Sequence, residues 1–200
     1  MRLCLAMAAL LVLTACAGLQ SGPLPPAQRA AVAYAASGPP SLTLITVINN
    51  RSGDGGHTAL MVSGSQRVIF DPAGTFSSPS VVEHGDVLYG VTPSVYAAYR
   101  SKHARESHHV VEQEIIVAPE LAERALALVE ANGTVASAFC ASATSRILQQ
   151  LPGFAGVGSY LYPEKLMQDF ARVPGVREVR YFENDAGQQV SGPAALGLSH

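Results

Sequence analysis

The spacing of apolar positions changes character along the chain. Residues 41–49, "SLTLITVIN", form a continuous β-branched run, which suits a buried strand. "HTALMV" (57–62) and "RVIFD" (67–71) follow, separated by a segment with Gly64 at the turn, and together they predict a hairpin. Two more strands are predicted at "DVLYGV" (86–91) and "HVVEQEIIV" (109–117). Between these two, "PSVYAAYRSKHARES" (93–107) reads as a helix with Pro93 at its first position. "PELAERALALVEANG" opens on Pro119, spaces Leu121, Ala125, Leu128 and Val129 as a helix does, and stops at Gly133. Further helices are predicted at "SAFCASATSRILQQL" (137–151) and "PEKLMQDFARV" (163–173), and a closing strand at "VREVRYF" (176–182). Strands dominate the first half, helices follow, and a strand ends the pattern. That order predicts an α+β fold, an antiparallel β-sheet packed by helices.

The two ends of the chain do not follow this pattern. "MRLCLAMAALLVLTAC" carries Arg2 and then an apolar stretch too short for a stable transmembrane helix. It ends in Leu13-Thr14-Ala15-Cys16, which resembles the lipobox of bacterial lipoproteins; the alternative is an ordinary secretory signal with an incidental cysteine. The resemblance implies a signal peptide over 1–15, cleavage before Cys16, and fatty-acyl chains on Cys16 that hold the protein stably on a membrane. Ala17, rather than Asp, follows Cys16, which by the sorting rules of such lipoproteins implies the outer membrane, facing the periplasm of a bacterial cell envelope. Residues 16–40 then read as a flexible Pro/Gly/Ala linker with one short helix near 27–36, residues 41–185 as the folded domain, and 186–200 as a loosely held tail.

Net charge is −2 and charged residues are few. No clustered basic face is present, so nucleic acid is excluded as a partner. No phosphate-binding loop, dinucleotide fingerprint or serine elbow occurs, and no cofactor is implied. Function must be sought in a local site.

The cysteines supply one. If Cys4 leaves with the signal and Cys16 becomes a thioether, Cys140 is the remaining thiol, unpaired in an oxidising compartment. A helix starting near Ser137, with that hydroxyl as its cap, places Cys140 in the first turn. Thr144, Ile147, Leu148 and Leu151 share its stripe, which packs on the sheet. Unpaired N–H groups and the helix dipole lower the pKa of such a thiol, and the same N–H groups can receive an oxyanion. The base is expected from "GDGGHTALMV": His57 opens a strand, with Ala59 and Met61 on its face, and the small Ala59 leaves room for a helix. Asp71, at the end of the paired strand, is the nearest carboxylate able to orient the imidazole; His84 in "VEHGD" is the rival for that position. This makes Cys140 the nucleophile, His57 the general base and acid, and Asp71 the orienter. Each residue also has an ordinary structural reading. A free Cys is commonly buried packing, a strand-end His a turn residue, and Asp71-Pro72 a turn opener; Asp54 reads as a turn residue only.

A Gly-His strand, a short turn, a second strand ending in a polar residue and a later Cys at a helix N-terminus together resemble the circularly permuted NlpC-type papain-like proteins. That group includes lecithin–retinol acyltransferase-like enzymes and bacterial envelope proteins. The order His57 before Cys140 is the permuted one, and the resemblance covers roughly 41–182, "YPEKLMQDF" included. It implies hydrolysis or transfer of acyl groups through a thioester, on peptidoglycan peptides or acyl lipids. Two positions depart from the family pattern: Phe139 stands where many relatives carry Asn, and Asp71 or His84 takes a third position that is often His. A catalytically silent member of the same fold, acting as a binding or assembly lipoprotein, is the alternative these departures leave open. A third reading has His103, His108 and His109 binding a metal, but their spacing straddles a helix end and suits a solvated segment better.

Overall fold

The computed structural model describes residues 22–184; the expected signal peptide, Cys16 and the 186–200 tail lie outside the described residues. The fold is α+β, with a seven-stranded antiparallel sheet. In chain order the strands are β1 (Ser41–Asn49), β2 (Gly55–Ser63), β3 (Arg67–Phe70), β4 (Val82–His84), β5 (Val87–Tyr89), β6 (His108–Ile116) and β7 (Arg177–Tyr181). They lie side by side as β4-β5-β3-β2-β1-β6-β7, so β1 and β2 sit at the centre. The helices are α1 (Pro26–Val32), α2 (Pro93–His103), α3 (Pro119–Asn132), α4 (Cys140–Leu148) and α5 (Pro163–Phe170).

Both faces of the central strands are covered, which explains the unbroken apolar run of β1. Leu42, Leu44, Leu60, Val62, Val68 and Phe70 point to one face and pack with α3, α4 and α5 through Leu126, Val129, Ile147, Leu148, Leu166 and Phe170. Ile45, Ala59, Met61, Ile69 and Leu88 point to the other and meet α2 through Val95 and Tyr99. Burying each large apolar side chain contributes roughly 1.5–3 kcal/mol before entropy is charged against it, so these two layers hold the sheet between helices.

Three local features differ from expectation. The segment 86–91 yields only a three-residue strand, β5, because it pairs with an unforeseen three-residue partner, β4, through the two-residue turn Gly85-Asp86. Both turn residues have left-handed backbones (φ 57° and 62°), the geometry tight hairpins need. The helix α2 stops at His103, four residues early, where Ala104 goes extended and the chain turns into β6. Residues 22–36, expected as part of a flexible linker, dock on the domain: Leu24 is 2% exposed and belongs to the core beside α3. The Tyr34 carbonyl accepts the Arg67 N–H at 2.6 Å, and Arg29 pairs with Glu130 at 3.5 Å.

Candidate active site

The glycines of "GDGGH" build the start of β2. Gly55 lies flat against α5: a Cβ there would sit 2.6 Å from Pro163 Cβ and 2.7 Å from the Glu164 amide nitrogen. Glu164 also accepts the Gly55 N–H at 3.1 Å. Against β1, Ile48 pairs with Gly55 and Val47 with His57, so Gly56 is an extra residue, a β-bulge. A bulge re-aims the side chain that follows it, and here that side chain is the imidazole of His57.

His57 points to the α2 face. Its Nε2 lies 2.7 Å from Asp71 Oδ1, one residue beyond β3. The same Asp71 oxygen accepts the hydroxyl of the fully buried Tyr99 of α2 at 2.6 Å. One turn along α2, the His103 ring stacks on His57 with centroids 5.7 Å apart, and its Nδ1–H donates to the Tyr99 carbonyl at 2.8 Å. A buried carboxylate with two donors on one oxygen holds the imidazole in one orientation, with Nε2 committed to Asp71 and Nδ1 left for another partner.

Cys140 arrives from the opposite face. It is the first residue of α4, whose Ala141, Ala143, Ile147 and Leu148 belong to the core on the far side of the sheet from α2. β2 and β3 pair from Leu60↔Phe70 onward, and before Leu60 the two strands part. At that opening the thiol comes near enough to His57 for the two to shift each other's ionisation, and the nearby backbone N–H groups of Thr58 and Ala141 favour its charged form.

The ionisation of all three groups follows from this geometry. Burial alone pushes the His57 imidazole down, but hydrogen bonds to Asp71 and Cys140 and their charges outweigh it and raise it to about 9. Burial pushes the Cys140 thiol up, yet the imidazole and the two amides bring it below its ordinary value. Asp71, also penalised by burial, is held below the usual carboxylate range by His57 and Tyr99. The directions agree: each group favours the charged form of its neighbour, carboxylate, imidazolium and thiolate in a row. The neighbouring His103 goes the other way, lowered by burial, and stays neutral against the charged ring.

Cys140, His57 and Asp71 are therefore brought together, though not by the expected route. Ser137 is not the cap of α4; Phe139 occupies that position, and no side chain caps the helix. The first-turn N–H of Cys140 thus lacks an intrahelical partner. Ala59 faces α2 rather than α4, so the thiol reaches His57 through the parting of β2 and β3, not over a small residue. His84 ends β4 at the sheet edge, with β5 and β3 between it and β2, and it is Asp71 whose carboxylate bonds the imidazole. The three histidines proposed as metal ligands separate: His103 stacks on His57, His108 bonds Ser107, and His109 bonds Asn50 and stacks on Phe182. The sequence assigns Tyr99 no site role and His103 only a metal-binding one, because Val95 and Tyr99 have the spacing of plain core residues and His103 stands in a segment that reads as solvated. The i, i+4 spacing of Tyr99 and His103 was the available signal. Comparison of the chain with protein-family models, with curated proteins and with solved structures gives no match.

Proposed function

We propose that the chain is a thiol hydrolase or acyltransferase of the permuted papain-like kind, carried on an envelope lipoprotein. The supporting observation is the line Cys140–His57–Asp71, with the nucleophile at the uncapped start of a helix and the base fixed by a carboxylate at 2.7 Å. The Cys140 thiolate attacks the carbonyl carbon of an amide or ester, a cell-wall peptide or an acyl lipid. The oxyanion that forms is received by the unpartnered Cys140 N–H at the positive end of α4. Collapse expels the amine or alcohol, which takes its proton from His57, and leaves a thioester on Cys140. Neutral His57 then removes a proton from water, or from an acceptor hydroxyl or amine, which attacks the thioester and releases the product acid, ester or amide. The thiolate and the imidazolium are restored.

Exposed apolar side chains flank this chemistry: Phe139 directly before Cys140, and Leu161 and Tyr162 before the α5 turn that rests on Gly55. They offer a non-polar wall to a substrate. Lipidation of Cys16 and residence in the bacterial envelope belong to the same proposal; among the described residues no helix is long and apolar enough to cross a membrane.

The test is the pH dependence of iodoacetamide alkylation, located at Cys140 by peptide mass mapping, in the wild type and His57→Ala. The expected result is reaction at an apparent pKa well below that of free cysteine, with the substitution returning it upward. A thiol that reacts only at high pH, unchanged by His57→Ala, would remove the enzyme reading and leave a binding or assembly lipoprotein.

A further inference from the structure

The turn that carries the rejected candidate His84 holds a different residue that reaches toward the site. Asp86 is only 6% exposed although it sits in a hairpin turn. Its carbonyl accepts the N–H of Asp71 at 2.8 Å. Its carboxylate oxygen Oδ2 accepts the N–H of Ala73, in the turn that follows Asp71, at 3.0 Å. The same Oδ2 accepts the N–H of Val135, in the segment leading to Cys140, at 2.8 Å. One side chain therefore ties the strand end that positions the carboxylate to the chain that delivers the nucleophile, two segments more than sixty residues apart.

The backbone supports the same connection. Among the described residues, the non-glycine residues with left-handed φ are Ala73 (56°), Asp86 (62°) and Ala138 (71°). Each lies in one of the segments that Asp86 joins, and Ala138 stands two residues before Cys140. Side chains in this region are strained, and such strain persists only where surrounding contacts impose it. At Ala73 the bond from its own N–H to Asp86 is such a contact, and the bond from Val135 holds the chain three residues before Ala138.

We infer that Asp86 is a positioning residue that fixes Cys140 relative to Asp71 and, through it, to His57. It touches neither substrate nor the reacting atoms. The inference rests on the thiol–imidazole chemistry proposed above, but its structural content can be read separately.

Two substitutions isolate the carboxylate. Asp86→Gly keeps the left-handed turn, because Gly accepts that φ freely, and removes both accepted N–H bonds. Asp86→Asn also tolerates the turn and keeps a carbonyl oxygen where Oδ2 accepts them. In the full chain, Asp86→Gly is expected to slow Cys140 alkylation at neutral pH on the order of tenfold and to move its pH profile toward that of free cysteine. Asp86→Asn is expected to stay close to the wild type. Amide hydrogen exchange at Ala73 and Val135 gives the independent readout, fast in the Gly variant and protected in the Asn variant. An unchanged alkylation profile in Asp86→Gly, with those amides exchanging freely, would overturn the positioning role. Equal loss in the Asn and Gly variants would overturn it as well, because charge rather than hydrogen bonding would be acting. If wild-type Cys140 is an ordinary thiol indifferent to His57, the enzyme reading fails, while the exchange data still decide whether Asp86 ties the two segments.

Discussion

His57 bears a raised proton affinity and Asp71 a lowered one, so together they set a stability window. His57 is raised from 6.5 to about 9, so its contribution is complete below pH 6.5 and is lost as pH rises from there toward the folded value. Asp71 is lowered from 3.8, so its contribution is present above that value and is lost as pH falls through the lower folded one. The thiol, lowered from 9.0, runs in the opposite direction to His57: its share is present above 9 and declines on acidification. A Cys140→Ala background removes that opposing share together with the part of the His57 shift that Cys140 causes, and leaves the part that Asp71 causes. Denaturant unfolding in this background should be most stable between about pH 4 and 6.5, then lose on the order of 1–2 kcal/mol as pH rises further. Adding His57→Ala should flatten the alkaline decline. A decline that survives His57→Ala would place its origin elsewhere.

Short elements, rather than single residues, bring these groups together. The turn Asp71-Pro72-Ala73-Gly74 closes with the Gly74 N–H on the Asp71 carbonyl at 2.8 Å, and Gly74 lies under the Asp71 carboxylate. A Cβ at Gly74 would sit 1.9 Å from Asp71 Oδ2, and its backbone is not left-handed, so only space is at issue. Gly74→Ala must therefore push the carboxylate off His57 without altering either residue. The expected outcome is a loss of thiol reactivity approaching that of Asp71→Ala, about ten- to a hundredfold in alkylation rate at neutral pH. Wild-type rates in Gly74→Ala would show that the Asp71 contact does not govern the thiol. These elements also mark how far the sequence could be read. The long strands and helices were legible because their apolar periods are strong, and His57, Asp71 and Cys140 stood at recognisable element ends. The faces were not legible: β2 is covered on both sides, so nothing in "HTALMV" tells which layer of helices His57 meets. Nor was the pair β4–β5, whose three-residue strands are too short to show a period. Tyr99 has a polar role that depends on a hydroxyl reaching a carboxylate from another element, and no local pattern encodes that contact.

At the scale of the whole molecule, the docked N-terminal segment changes how the domain would be held. A spacer over 16–40 would leave the domain free of the chain before it, whereas the described part of that stretch packs on the domain from Leu24 onward. The segment packs beside Gln66 and Glu130, next to the turn that ends β2, while His57 stands at the start of that nine-residue strand. The candidate site thus opens about 20 Å along β2 from the point of docking. Trypsin cleavage at Arg29 tests whether the docking persists in solution. Arg29 lies within α1 and pairs with Glu130, so the wild type should resist cutting there under native conditions. Leu24→Asp expels the buried side chain that seats the segment, a loss of about 2 kcal/mol, and should speed that cut roughly thirtyfold while the remaining domain stays folded. Rapid cutting at Arg29 in the wild type would restore the free-spacer picture.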